Sequence, residues 1–460
     1  MFKIPIVIVD NEQEHLDKLN AAFALSAMPC LPIRFISDPD NKSGVDHVSA
    51  DSRHARIVAL DINLQDAGGT LDAKGLYPAI EGVLKKLAPS GPYFLIFWSR
   101  HKNLPEEIMR LLATRSGDDV VAPIGWHFLD KSDFLDGNGE SLKERLLEAI
   151  GDACIFRLLL EWEQRTGNAA SETLSGLYML AARASGSGWD YAQTAQNLTT
   201  LMTHIAHEAL GHKNAKDSAS HAVESGLLPM VEDRLAILSG EDREDLNDQW
   251  NTCLDKLGEP KKLGSLSKAD AANLNTFYHI EELPEGYSKC KRGVFVSLPD
   301  SFRNDNSAFG TLFGSENTVQ KVMTEEFVFA AKTAVKSDVI NETKLGWLEI
   351  GAECDHAQRK NRLHRYVLGA LVPEKYSGSL YSDKRDIKDR AHEGVYRFPV
   401  VSYRNESYII LISFRYQIGA HTGSEALGDP MFRVKEQILT DIAFRWSKHS
   451  IRPGITSFTP

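Results

Sequence analysis

The sequence contains no apolar run that approaches the roughly 18 residues of a membrane-spanning helix, so we expect no membrane span. The first apolar stretch, residues 4–9, is too short for a secretory signal and is followed at once by Asp10. The five cysteines are scattered and form no CxxC pair, which indicates a reducing compartment and no structural zinc site. These absences together predict a cytoplasmic protein without a membrane partner.

An excess of basic residues is also absent, because 52 lysines and arginines stand against 63 acidic residues. The formal net charge is −11, whereas broad contact with a phosphate backbone needs a basic surface, so nucleic acid is not an expected partner. No stretch has helix-turn-helix spacing, and the basic segment 444–454 is interpreted as a solvated helix end. A P-loop, a Rossmann fingerprint and a GxSxG motif are absent as well. A DNA-binding output and several nucleotide-binding and hydrolase classes are therefore disfavoured.

What is present is the composition of an ordinary globular protein. Of the 460 residues, 42% are hydrophobic and 25% are charged, and domains of roughly 100–200 residues predict two to four domains. Residues 1–152 alternate strand-like and helix-like stretches, residues 153–275 have the spacing of amphipathic helices, and residues 276–460 are mostly strand-like with a helical tail. We therefore predict an N-terminal domain, a helical region and a C-terminal α+β domain.

The N-terminal region is typical of an α/β fold. Its strand-like stretches fall at residues 4–9, 31–37, 55–60, 93–98 and 125–130, most of them continuous apolar runs, with helical spacing between them. Strands that alternate with helices indicate βαβ units, and continuous apolar runs indicate strands that are buried on both faces. The sequence thus predicts a five-stranded, doubly wound parallel sheet over residues 1–152.

The reactive side chains of this region fall at the ends of the predicted strands. They are Asp10, Asn11 and Glu12 after the first strand, Asp61 after the third, Ser99 after the fourth and Lys131 after the fifth. Ligands of open α/β sheets bind at the carboxyl ends of the strands, near the point where the strand order reverses. We therefore expect these side chains to form one site.

Four stretches carry a resemblance to a known family: "VIVDNE", "IVALDINL", "FLIFWSR" and "FLDKSDF". Together they resemble the receiver domain of response regulators, which has a flavodoxin-like fold, over residues 1–152. The resemblance implies that a histidine kinase transfers a phosphoryl group to Asp61 with the help of Mg²⁺. It also implies that Asp10, Asn11 and Glu12, together with Asp61, hold that ion.

Three further residues receive roles from the same resemblance. Ser99 and Lys131 would contact the phosphoryl oxygens, and Phe128 would be the aromatic residue that turns inward with the hydroxyl group. General chemistry explains these residue types, because a carboxylate can form an aspartyl phosphate. Mg²⁺ prefers oxygen ligands and neutralises charge during phosphoryl transfer, and a lysine supplies a point charge.

Three features depart from the family pattern. Asn11 stands where a second acid is usual, although Glu12 lies beside it. The loop after Asp61 and the stretch before Lys131 are both longer than usual, and Ser132 stands where proline is typical. A receiver-like domain that is never phosphorylated therefore remains an alternative.

Two other motifs invite a chemical interpretation. In "HIAHEALGH", His207 and His212 are five residues apart, about 140° around a helix, so they do not have the spacing of a zinc protease. In "EIGAECDHAQRKNRLHR", a metal-dependent nuclease site would use Glu349, Glu353, Asp355 and His356 with Lys360, and a thiol site would pair Cys354 with His356. The alternative is a strand end followed by a helix with a solvated charged face.

These observations predict a cytoplasmic two-component response regulator with a histidine kinase as its partner. Its C-terminal region would not bind DNA, and an effector protein or a second copy of the chain would be further partners. The layout is similar to that of the receiver component in anti-phage two-component systems of the Detocs type, where such a component is proposed to drain phosphoryl groups. The alternatives are a receiver-gated effector enzyme, with a nuclease-like C-terminal domain, and an interaction scaffold.

Overall fold

In the computed structural model of the protein, the residues whose placement is described are 6–25, 29–37, 55–65, 71–117, 119–134, 144–145, 148, 153–183, 190–238, 244–254, 257–258, 264–328, 333–357, 363–380 and 394–451. Within them the chain is a mixed α/β protein with an N-terminal parallel sheet and a later antiparallel sheet. It divides into two compact units, residues 1–176 with 230–259 and residues 177–229 with 260–460. The three-part division predicted from the sequence remains a prediction.

The N-terminal sheet has five strands, all parallel, in the order β2-β1-β3-β4-β5. The strands are β1 (Ile6–Asp10), β2 (Cys30–Arg34), β3 (Ile57–Leu60), β4 (Phe94–Ser99) and β5 (Gly125–Asp130). The helices between them are α1 (Gln13–Leu25), α2 (Ala73–Leu87) and α3 (Pro105–Arg115). The prediction of a five-stranded parallel sheet at the N-terminus is confirmed.

Alternate residues of each strand enter two different hydrophobic clusters. Val7 and Val9 of β1 pack in a cluster with residues of α2 and α3, whereas Ile6 and Ile8 pack in a cluster with residues of α1 and with Phe156. All residues of β1, β3 and β4 are buried. This two-sided burial explains why these strands read as continuous apolar runs and not as an alternating pattern.

The middle of the chain is helical, as predicted. Its helices are α4 (Cys154–Arg183), α5 (Tyr191–Leu210), α6 (His212–Asp217), α7 (Ala219–Leu238), α8 (Glu244–Cys253) and α9 (Lys268–His279). A disulfide bond joins Cys154 to Cys253, whose Cα atoms are 5.6 Å apart. The scattered cysteines indicated a reducing compartment, where disulfide bonds are rare, so this bond departs from that expectation. Two cysteines that are 99 residues apart form no local spacing pattern from which the bond could have been predicted.

The C-terminal sheet has seven antiparallel strands in the order β10-β11-β9-β8-β7-β12-β6. The strands are β6 (Ile280–Glu282), β7 (Val294–Ser297), β8 (Lys344–Glu349), β9 (His364–Pro373), β10 (Val395–Tyr403), β11 (Glu406–Ala420) and β12 (Pro430–Val434). The helices of this part are α10 (Asp300–Arg303), α11 (Asn306–Phe313), α12 (Val319–Val322), α13 (Thr333–Glu342), α14 (Glu353–Ala357) and α15 (Glu436–Ser450). Shorter helical turns cover Lys131–Asp133, Met323–Phe327 and Glu374–Leu380.

None of the helices in these ranges combines the length and the apolar character that crossing a membrane requires.

Two glycines in the middle of the C-terminal sheet make room for one aromatic ring. Gly346 and Gly369 face each other in the register of β8 and β9, and a Cβ atom on either residue would collide with the ring of Phe295. At Gly346 the added carbon would also meet the carbonyl oxygen of Val296, which is main chain and cannot rotate away. The close approach of β7, β8 and β9 here therefore depends on glycine, which has no side chain, at both positions.

We expect Gly346→Ala to lower the free energy of unfolding by about 1–3 kcal/mol, because an overpacked core must shift strands or distort rotamers. Gly378→Ala is the matched control, since no atom lies within 4 Å of the position that its methyl group would occupy. Urea unfolding of the two variants and the wild type measures the difference. Equal midpoints for both variants would show that β8 moves freely enough to accept the methyl group.

Candidate functional site

The N-terminal sheet brings four polar strand ends together at one edge. Asp10 is the last residue of β1 and Ser99 the last of β4, while Asp61 directly follows β3 and Lys131 directly follows β5. The backbone N–H of Asp61 donates to the carbonyl of Val9 at 2.9 Å, so the β1–β3 ladder continues to the site. Parallel strands end on the same side, and this register sets the two carboxylates side by side.

The four side chains are in direct contact and are almost completely buried. The Nζ of Lys131 donates to Oδ2 of Asp10 at 3.1 Å and to Oδ2 of Asp61 at 2.8 Å. The hydroxyl of Ser99 donates to Oδ1 of Asp61 at 2.6 Å. The exposed fractions of Asp10, Asp61, Ser99 and Lys131 are 0%, 4%, 0% and 3%. The arrangement is a buried cluster of two acids, one lysine and one hydroxyl group.

The charges of this cluster do not balance. Burial raises the pKa of Asp10 above its ordinary value, and the negative charge of Asp61 raises this pKa further. Lys131 and the backbone N–H of Glu12 lower the pKa of Asp10, but the opposing effects are larger. Two carboxylates with one lysine therefore leave room for more positive charge, which a bound cation would supply.

The residues after Asp10 add two more polar atoms. The N–H of Glu12 donates to Oδ1 of Asp10 at 2.9 Å, while the Glu12 side chain is exposed. The side-chain oxygen Oδ1 of Asn11 is buried and has no hydrogen-bond partner among the described residues. A carbonyl-type oxygen of this kind is a suitable ligand for a hard cation. Asp10, Asn11 and Asp61 therefore fit a Mg²⁺ ion, with Glu12 at the rim.

Sequence reasoning missed His15, which lies in the first turns of α1. Its side chain is buried, and its Nδ1 lies 3.9 Å from Oδ1 of Asp10 and 3.3 Å from Oε1 of Glu12. The sequence did carry a signal, because His15 follows the strand-end acid Asp10 by only five residues. His15 thus borders the site on the side of Asp10.

The remaining predicted residues of this region lie on β5 and just after it. Phe128 pairs with Phe97 in the β4–β5 register and is partly buried against the cluster on the α2 side of the sheet. The carboxylate of Asp130 accepts a hydrogen bond from the N–H of Ser132 at 3.0 Å and caps the turn Lys131–Asp133. This cap fixes the chain as it turns and directs Lys131 inward.

The predicted C-terminal site comes together only in part. Glu349 ends β8, and His356 lies on α14; the Nε2 of His356 is 2.9 Å from Oε1 of Glu349. Glu353 is exposed and Asp355 is half-exposed, and neither is in the group of donor atoms around Glu349. Lys360, the lysine of the nuclease interpretation, lies outside the described residues.

A residue that the sequence did not single out completes the group instead. His364, the first residue of β9, has its Nδ1 3.6 Å from Oε1 of Glu349. Burial lowers the pKa of His364, His356 lowers it further, and the nearby Glu349 carboxylate opposes this change. Cys354 is exposed, with its Sγ 3.9 Å from Oδ1 of Asp355.

The pair His207 and His212 borders a cleft of about 630 Å³ between α5, α6 and α7. The two ring centroids are 4.0 Å apart, because α5 ends at Leu210 and α6 begins at His212. Within the described ranges neither histidine belongs to a group of three possible metal ligands. The cleft is otherwise lined mainly by apolar and threonine side chains.

Comparison of the chain with protein-family models, with curated proteins and with solved structures found no match.

Proposed function

We propose that residues 1–152 are a receiver domain and that Asp61 accepts a phosphoryl group from a histidine kinase. The observation that carries this proposal is the contact of Asp61 with Lys131 at 2.8 Å and with Ser99 at 2.6 Å, beside the second buried acid Asp10. A solvated acid at a strand end would need none of these partners. Their residue types match the needs of phosphoryl transfer to a carboxylate.

The sheet supports the same proposal. Its strand order, 2-1-3-4-5, is consistent with a flavodoxin-like fold, in which the order reverses between β1 and β3. Asp10 and Asp61 stand at the ends of these two strands. Hydrophobic clusters with helices lie on both sides of the sheet, as a doubly wound arrangement requires. The site therefore occupies the position where ligands of such sheets bind.

The transfer step follows from the geometry of Asp61. One carboxylate oxygen attacks the phosphorus of a phosphohistidine, so that an O–P bond forms, the N–P bond breaks, and the imidazole leaves and takes up a proton. Lys131 moves its hydrogen bond from Asp61 to an oxygen of the arriving phosphoryl group and stays close to both negative charges. Ser99, which donates to Asp61 before transfer, donates to another phosphoryl oxygen afterwards.

Asp10, Asn11 and Asp61 would hold Mg²⁺, with Glu12 at the rim. The fit rests on the charge imbalance of the two acids and on the unpartnered Oδ1 of Asn11. The ion supplies charge neutralisation when the anionic phosphoryl group approaches two carboxylates. The replacement of the usual second acid by Asn11 leaves a neutral oxygen ligand in its place.

For the whole chain, we propose a cytoplasmic response regulator whose remaining residues bind no DNA. We also propose a role as a phosphate sink or a regulator in anti-phage defence, because a receiver joined to a long region without a DNA-binding motif is similar in layout to the receiver component of Detocs-type systems. Its partners would be a histidine kinase and either an effector protein or a second copy.

The test is incubation of the purified chain with Mg²⁺ and a small acyl phosphate, and separately with a phosphorylated histidine kinase, followed by intact-protein mass spectrometry. We expect the wild type to gain the mass of one phosphoryl group and Asp61→Asn to gain none. Asp133→Asn, which removes an exposed acid just after Lys131, is the matched control and should be phosphorylated like the wild type. No gain by the wild type with either donor would instead favour the interaction scaffold.

A further inference from the structure

We propose that Glu349, His356 and His364 form a second metal site, which binds a divalent transition-metal ion of the zinc type and ties the β8–β9 connection to the C-terminal sheet. This site is independent of the proposed phosphorylation site, because every residue that forms it belongs to the antiparallel sheet or to the segment between two of its strands.

The strand register explains why these residues meet. Glu349 is paired with Tyr366 across β8 and β9, so His364, two residues before Tyr366 at the start of β9, lies diagonally opposite Glu349. Diagonal neighbours on one face of a sheet are within reach of long side chains. His356 arrives from α14, which lies in the connection between the same two strands. A metal ion at this point would join two strand ends and the intervening helix.

The donor atoms are already close together. One ligand atom from each of the three residues can be chosen so that all lie within 4.8 Å of one another. Around a zinc ion with bonds of about 2.0–2.2 Å, donor atoms are separated by roughly 3–4 Å. Small side-chain rotations therefore suffice to bring the three atoms onto one ion.

The same atoms lack other partners. Glu349 is completely buried, and its Oε2 has no hydrogen-bond partner among the described residues. The Nε2 of His356 and the Nδ1 of His364 also lack one, since their contacts with Oε1 of Glu349 do not have hydrogen-bond geometry. Burial of a carboxylate is costly unless it is paired or coordinates a metal. The cluster therefore combines a buried carboxylate that has one unpartnered oxygen with two imidazole nitrogens close to its other oxygen, a suitable set of donors for a metal ion.

Within the described part of the chain, no lysine or arginine forms an ion pair with the buried Glu349. The guanidinium of Arg292 donates to the carbonyl of Gly351 and forms an ion pair with Glu436 at 2.9 Å. Among the residues that the structure describes, the N–H of Gly351 is the hydrogen-bond donor to Oε1 of Glu349, at 3.0 Å. The Glu349 carboxylate is therefore in contact with the two histidines and with no other basic side chain that the structure describes. Neutral imidazoles are common metal ligands, and a bound cation would balance the charge of the carboxylate.

Gly351 keeps the space at the cluster open. A Cβ atom at this position would lie 2.6 Å from Oε1 of Glu349 and 2.7 Å from Nε2 of His356. A side chain at this position would therefore require the Glu349 carboxylate and the His356 imidazole to move from their places in the cluster.

The residue types of the three ligands indicate which kind of ion the site would bind. Two imidazole nitrogens and one carboxylate oxygen suit zinc and related transition metals, whereas Mg²⁺ and Ca²⁺ prefer oxygen ligands alone. Three protein ligands leave one position of a tetrahedral ion for water or a substrate group.

The experiment uses the full-length chain, stripped of metal with a chelator and titrated with Zn²⁺ in competition with a chromophoric chelator. We expect one tight site in the wild type and an affinity at least about 100-fold weaker in Glu349→Gln and in His364→Asn, because loss of an outer partner alone costs 10–100-fold. Glu353→Gln, an exposed acid in the same connection, is the matched control. Asp10→Asn should also keep the site, which separates it from the Mg²⁺ cluster.

A second measurement guards against variants that fail to fold. Zn²⁺ should raise the Tm of the wild type and of Glu353→Gln, and should leave the Tm of folded Glu349→Gln unchanged. With Co²⁺ in place of Zn²⁺, the wild type should show the visible absorption of a tetrahedral site, and Glu349→Gln should not. Weak binding by the wild type, or equal binding by Glu349→Gln and Glu353→Gln, would overturn the proposal whatever the outcome of the phosphorylation test.

Discussion

Replacing Lys131 with methionine should lower the free energy of unfolding by about 3–5 kcal/mol, measured in a buffer that contains a chelator. Lys131 is the cation that contacts both buried carboxylates, at 3.1 Å for Asp10 and 2.8 Å for Asp61. Methionine has a similar length and is apolar, so the packing of the site changes little while its positive charge is lost. Two acids would then be buried side by side without a counter-charge, and removal of one partner from such a cluster is strongly destabilising.

The same substitution has two informative controls. Lys74→Met removes an exposed lysine on α2 and should change stability by less than about 0.5 kcal/mol. In the double variant Asp61→Asn/Lys131→Met only one buried charge remains, so the loss should be clearly smaller than in Lys131→Met. The two effects are coupled because the side chains are in contact.

Mg²⁺ provides the third control. If the cluster holds a divalent cation, millimolar Mg²⁺ should restore more stability to Lys131→Met than it adds to the wild type, since the ion replaces the missing charge. A Lys131→Met variant that is as stable as the wild type in chelator would mean that Asp10 and Asp61 are not both ionised. A large loss that Mg²⁺ does not reduce would mean that the cluster is a structural ion pair with no metal site.

The site at the edge of the N-terminal sheet could be predicted from the sequence because its signals are local. Each of β1, β3 and β4 is a short apolar run that ends in a polar residue, and parallel strands place such ends at one edge of the sheet. The contact between Asp10, Asp61, Ser99 and Lys131 could therefore be predicted from two things: the positions of four strand ends in the sequence, and the rule that the carboxyl ends of parallel strands meet at one edge of the sheet. The strands β8 to β11 also lie in the part of the chain, residues 276–460, whose sequence is mostly strand-like.

The C-terminal group could not be predicted in the same way. Glu349 and His364 are separated by 14 residues and meet only because β8 and β9 pair in one particular register. A slip of one residue would turn His364 to the other face of the sheet. Antiparallel register is set by packing of the whole sheet, which the local pattern does not contain. Glu353 and Asp355 had the right chemistry, but Glu353 is exposed, Asp355 is half-exposed, and neither belongs to the group of donor atoms around Glu349.

Replacing Asp10 with asparagine should change stability and reactivity in opposite directions. Because burial and Asp61 raise the pKa of Asp10 in the folded state, the folded chain binds more protons than the unfolded chain between the two pKa values. The stability of the wild type therefore falls as the pH rises through the folded-state pKa of Asp10. Asparagine keeps the shape and an oxygen acceptor for Lys131 but carries no charge.

We therefore expect Asp10→Asn, in chelator, to have a higher Tm than the wild type near pH 7, and the difference to shrink as the pH falls toward 4, the ordinary range of the carboxyl pKa. A gain of ~1 kcal/mol would correspond to about 2–4 °C in a domain of this size. Thermal unfolding at several pH values measures both the sign and the trend. A lower Tm at every pH would mean that the ion pair with Lys131 outweighs the repulsion and the cost of burial.

The reactivity of Asp10→Asn should fall for the same electrostatic reason. Without the second carboxylate the site attracts Mg²⁺ less, and we expect the rate of phosphorylation by an acyl phosphate at limiting Mg²⁺ to drop by about 10–100-fold. Higher Mg²⁺ should recover part of that loss, because the defect lies in ion binding and the nucleophile Asp61 is intact. Rates measured over a Mg²⁺ series, with Asp133→Asn alongside, distinguish this from a general loss of activity. An Asp10→Asn variant that is more stable and equally reactive at every Mg²⁺ concentration would remove Asp10 from the metal site and leave it a purely structural acid.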